Sequence, residues 1–168
     1  MRSFRPLVFL IFLALAACAG QPTAPSFYRD LAEPGAKLDA AAAASMISDY
    51  RKKNGLPAVM LDPALTVLAQ AQAETMAKRD KLEHNVKKPF VKRLKAAGYN
   101  AKVAAENIGA GYHTIAEAFS GWRDSNPHRA NMLLAGATRM GIAAIYTPAS
   151  KYKVYWALIL AELDEKKS

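Results

Sequence analysis

Two of the chain's three histidines stand in polar strings that leave an imidazole accessible, His84 in Leu82-Glu83-His84-Asn85 and His128 in Ser125-Asn126-Pro127-His128-Arg129. Two imidazoles brought together by folding can bind zinc or a similar divalent ion. Glu106 lies between them in sequence, a carboxylate inside the otherwise apolar run Ala104-Ala105-Glu106-Asn107-Ile108-Gly109. A charge placed there needs a partner, because an unpaired buried carboxylate is costly. A metal held by His84 and His128 would lower the pKa of a bound water, with Glu106 as the general base of a hydrolysis. Two imidazoles without a third strong protein ligand imply a weakly held, exchangeable ion. The three residues are spaced 22 apart each time. That is far outside any local metal motif, so spacing alone leaves their meeting open.

Other chemical signals resolve into structure. Thr114-Ile115-Ala116-Glu117 has reciprocal capping-box spacing, which makes Glu117 a helix cap instead of a catalytic acid. Gly109-Ala110-Gly111 lacks the third glycine or lysine of a phosphate loop and reads as a strand end, with His113 exposed just beyond it.

The elements that must position these residues follow from periodicity. Asp39 caps a helix with Ala42, Ala43, Met46, Ile47 and Tyr50 on one face, stopped by Asn54-Gly55. Asp62-Pro63 opens a second helix that runs to about Arg79 with Leu65, Leu68, Ala69, Gln72, Ala73 and Met76 on one face. A short basic helix follows from Pro89, with Phe90, Leu94 and Ala97 inward, Gly98 as terminator, and Lys87, Lys88, Lys92, Arg93 and Lys95 crowding the outer side. That charge run is expected as a solvated face, with headgroup or polymer binding as the alternative. Three segments read as strands, Val103 to Ala110, Met140 to Tyr146 and Tyr152 to Leu160, the last two forming a hairpin about a Pro-Ala-Ser-Lys turn.

The 168 residues fit one domain core. Met1 to Pro6 carries two arginines, Leu7 to Ala17 is apolar, and small residues follow, the layout of a signal peptide. The apolar run is shorter than the roughly 20 residues that span a bilayer. Leu15-Ala16-Ala17-Cys18 resembles the bacterial lipobox, so residues 1–17 are expected to be removed and Cys18 acylated, with 18–35 as a flexible tether and 36–168 as the domain. The alternative is ordinary cleavage after Ala19. With Ala19 instead of aspartate after the cysteine, the resemblance implies the outer membrane. Loss of Arg2 and Arg5 takes the net charge from +9 to +7, which suits lipid headgroups or envelope polymers; nucleic acid is not expected as the partner of an exported chain. Cys18 is the sole cysteine, so no disulfide can form within the chain.

The strings Asp49-Tyr50-Arg51, Gly55-Leu56-Pro57, His84-Asn85, Glu106-Asn107-Ile108, Met140-Gly141-Ile142, Tyr155-Trp156 and, most specific, Trp122 through Leu133 resemble the CAP superfamily of cysteine-rich secretory, antigen 5 and pathogenesis-related proteins and bacterial SCP-domain proteins. The resemblance extends from about Ala41 to Ala161. It implies an α+β fold, a three-layer α-β-α sandwich with a small antiparallel sheet. It also implies a cleft in which two histidines and two acids bind divalent metal in some members. His84 and His128 match the histidines and Glu106 the first acid; Ser125 stands where the second acid falls and is a candidate cleft residue. Ala105 and Pro127 replace glycines of the pattern. Asn107 and Asn131 read as scaffold, bridging loops to strands. The expected function is an envelope-anchored, monomeric binding module for a lipid, polymer or protein. A metal-dependent hydrolase and a purely structural envelope protein are the alternatives.

Overall fold

The computed structural model describes residues 24–166; the expected signal peptide and Cys18 lie outside the described residues. The first helix, α1 (Ala40–Lys53), starts where Asp39 accepts the Ala42 amide at 2.9 Å. After the two-residue strand β1 (Met60–Leu61), α2 (Pro63–Arg79) starts in the same way, the Leu65 amide donating to Asp62 at 3.0 Å. Both caps satisfy an amide that the first helical turn leaves open. The short α3 (Phe90–Ala96) precedes β2 (Ala101–Ala110), and the expected Thr114–Glu117 capping box opens α4 (Ile115–Asp124). The chain then forms α5 (Asn126–Met132), β3 (Arg139–Tyr146) and β4 (Val154–Leu163).

Among the described residues one sheet forms, in the order β1-β3-β4-β2, with β1 parallel to β3 and the other pairs antiparallel. Residues 154–161 of β4 are buried without interruption, as a strand covered on both faces requires. Successive side chains point to opposite faces. Val154, Trp156, Leu158 and Leu160 pack with α1, α4 and Met132 of α5, whereas Tyr155, Ala157, Ile159 and Ala161 pack with α2 and Leu94 of α3. The expected three-layer α-β-α sandwich is therefore the observed one. No helix among the described residues is long and apolar enough to cross a membrane.

Three expectations need correction. Residues 26–35 do not all belong to a free tether: Ser26–Tyr28 forms a 3₁₀ turn, Leu31 is buried, and its amide donates to the His113 carbonyl at 2.7 Å. Apolar Phe27 and Leu31 have a core to join, so the fold starts before the expected boundary at 36. Strand β4 starts at Val154 instead of Tyr152, because the Tyr152 amide turns to Ser150 Oγ and Lys153 adopts φ 61°. Residues 126–132 form a helix that was not anticipated from the polar string around His128.

Candidate functional site

Glu106 sits on β2 in register with Ile159, facing the α2–α3 layer. The strand's alternation decides this, since Asn107 points to the opposite face. The Glu106 side chain is 1% exposed and is held by two groups. His84 Nδ1 lies 2.9 Å from Oε1, and Arg93 donates through Nη2 to Oε2 at 2.6 Å. Gln72, buried on α2, donates to the Glu83 carbonyl at 2.8 Å and so holds the loop that carries His84. Arg93 also donates to the carbonyls of His84 and Lys88.

Across β2, α5 brings His128. Its Nδ1 lies 2.8 Å from Ser125 Oγ, at the junction of α4 and α5. Asn107 donates to the His128 carbonyl at 2.9 Å; Asn131 donates to the Glu106 carbonyl at 3.1 Å and to Asn107 Oδ1 at 2.9 Å. The two asparagines thus clamp α5 to the edge strand, the scaffold role their sequence positions suggested. Burial, and then the charge of nearby His84, hold the His128 pKa below its ordinary value.

Both histidines use Nδ1 within the protein, which leaves Nε2 as the nitrogen without a partner among the described residues. An ionised carboxylate only accepts, so Glu106 draws the proton of His84 to Nδ1 and leaves Nε2 as the lone-pair nitrogen. Ser125 Oγ engages Nδ1 of His128, and since a hydroxyl both donates and accepts, this bond is compatible with either tautomer. A carboxylate behind a histidine is a common outer-sphere support for a bound metal. Among the described residues, however, no three His, Cys, Asp or Glu side chains converge into a group able to hold an ion. Arg93 already neutralises Glu106, and its Nη1 is buried without a partner among the described residues. The groups that would hold a divalent ion here are thus the two imidazoles alone, with Glu106 behind one of them.

Sequence reasoning placed Arg93 on the outer, basic side of α3; the structure turns it inward, 12% exposed. The signal was its spacing, three residues after Phe90 and beside Leu94, which puts it on the flank of the buried stripe. Its guanidinium also lies over the Phe90 ring, 5.4 Å from the centroid.

In the other layer a groove of about 550 Å³ opens between α1 and α4. Half-buried Met46, Tyr50 and Phe119 give it an apolar lining, and exposed Asp49, Lys53 and Arg123 border it. Tyr50 and Phe119 meet edge to face at 5.4 Å between centroids.

The family model for cysteine-rich secretory proteins, CAP, matches residues 44–160. The uncharacterized protein YkwD of Bacillus subtilis is 31% identical over 98 residues, covering 56% of this chain and 38% of the relative. An extracellular protein with an SCP domain from Bacillus anthracis superposes with a TM-score of 0.64 at 20% identity, over 73% of this chain and 39% of that one. An outer surface protein of Borrelia burgdorferi gives 0.65 at 17% identity, over 77% of this chain and 99% of its own. The chain thus spans under two fifths of the Bacillus subtilis relative and of the Bacillus anthracis protein.

Proposed function

Since this chain belongs to the CAP family of cysteine-rich secretory proteins, we propose that it is a ligand-binding module of the bacterial envelope, anchored through acylated Cys18. The observation that carries the reading is the α1–α4 groove. Its volume is within the range of small-molecule sites, and its apolar lining suits an amphiphile whose anionic end reaches Lys53, since Arg123 is already paired with Asp124 and Asp49 borders the other part of the rim. In the second cleft, His84 and His128 would hold a divalent ion through their Nε2 atoms, which supplies positive charge there and ties the α2–α3 loop to α5. The hydrolytic alternative has less support, because both oxygens of Glu106, its expected general base, are engaged by His84 and Arg93.

Titration with a fluorescent long-chain fatty acid tests the groove. Met46→Trp, which fills it, is expected to weaken binding at least tenfold without lowering the thermal midpoint. Equal binding by both proteins, or binding by neither, overturns the reading.

A further inference from the structure

The α2–α3 layer presents lysines in excess of the acids beside them, Glu74 near Lys87 and Asp164 near Lys95. No acidic residue occurs between Glu83 and Glu106. Within that stretch Lys87, Lys88, Lys92 and Lys95 are exposed, and among the described residues none of the four forms an ion pair. Arg93 is withdrawn to Glu106 and Lys102 is paired with Glu162, so these four lysines are the charge left facing outward.

Apolar surface lies among them. Val91, next to Lys92 in the first turn of α3, is 72% exposed. An exposed valine on its own needs no explanation. Here two hollows flank α3, one of about 320 Å³ toward α2, in which Leu68, Ala71, Ala96 and Ala97 meet Lys87 and Lys88 beside Arg93, and one of about 260 Å³ on its other side, in which Val91 meets Lys95 and Tyr99. Lysine stems can lie along apolar surface while their ammonium groups reach outward. Lysines around an apolar patch are the composition of a surface that rests in a headgroup layer.

The geometry points to α3 and the loop before it as a docking surface for an anionic phospholipid bilayer. A bilayer satisfies both parts, phosphates answering the lysines while Val91 and the hollows leave water. A hydrophilic polyanion would answer the charge alone and leave the apolar part wet. This surface is separate from the α1–α4 groove and borders the histidine cleft through Arg93, and it acts whether or not Cys18 is acylated.

The test uses the full chain carrying Cys18→Ser and Val91→Cys, with a polarity-sensitive fluorophore on the new thiol, so that the readout is local to α3. Vesicles of phosphatidylcholine mixed with phosphatidylglycerol are expected to shift the emission to the blue, and pure phosphatidylcholine vesicles to leave it unchanged. Each lysine replaced by glutamate or glutamine among positions 87, 88, 92 and 95 should weaken the response about fivefold or more, as should added salt for the set. The glutamine set guards against a folding defect in the glutamate set. No shift on anionic vesicles, an equal shift on neutral ones, or the same shift with soluble dextran sulfate would each overturn the proposal, the last in favour of a polymer partner.

Discussion

Arg93 decides the chemistry of the histidine cleft, since it turns Glu106 from a candidate base into half of a buried ion pair. Removing one partner of such a pair leaves the other charge stranded, which costs about 3–5 kcal/mol. Arg93→Met is accordingly expected to lower stability by about that much in urea unfolding, whereas Lys92→Met, one residue away and exposed, should change it by less than about 0.5 kcal/mol. The histidines carry a different expectation. His84→Ala with His128→Ala should abolish zinc uptake in equilibrium dialysis while the circular dichroism spectrum stays unchanged; retained zinc would remove both from the site. Titration of His128 has a defined sign. Its folded pKa lies below the unfolded value near 6.5, so the unfolded chain takes up its proton first. Its contribution is complete above about pH 6.5 and falls as acid carries the pH down toward the folded value. The unfolding midpoint should drop on that interval, and His128→Gln should flatten the drop.

At the scale of elements, two positions fix how the layers meet. Gly141 lies on β3 where α2 crosses it, and a Cβ there would fall on the backbone between Leu65 and Thr66. Backbone cannot rotate aside as a side chain can, so Gly141→Ala should destabilise by about 3 kcal/mol, read as a lower denaturant midpoint. Arg51 of α1 is fully buried without a carboxylate and donates to the carbonyls of Pro57, Met132, Leu134 and Ala137. These bonds fasten α1 to the end of α5 and to the loop leading into β3. Arg51→Leu keeps the bulk but leaves the carbonyls without donors, and about 3 kcal/mol or more of stability should be lost. The string Asp49-Tyr50-Arg51 pointed to the family, yet the stitching role was not legible in it. All four accepting groups are main-chain atoms, three of them in segments distant from α1, and sequence does not mark which carbonyls will face inward. The capping residues are the opposite case. Asp39, Asp62, Thr114 and Glu117 act within four residues, and the structure shows each doing what its spacing required.

For the whole molecule, the proposed anchor and the proposed docking face make separable predictions. Cys18→Ser should move the protein from the detergent-soluble membrane fraction to the soluble fraction at high salt, with some of it still held at low salt by α3; membrane retention at high salt would count against the anchor. What the sequence by itself determined is whatever is written in local spacing: the caps, the faces of α1 and α2, the strands of the hairpin, and the family pattern from which the sandwich follows. Those signals are local because turns, caps and alternation involve residues a few positions apart. Only the tertiary structure decided that Arg93 belongs to Glu106, that Ser125 and Glu106 each hold a histidine by Nδ1, that Leu31 joins the core, and that four lysines form no ion pair among the described residues. Each of these depends on which surfaces pack together across β2 and β4, and a buried charge takes its partner from whatever the packing places beside it, which no spacing along the chain records.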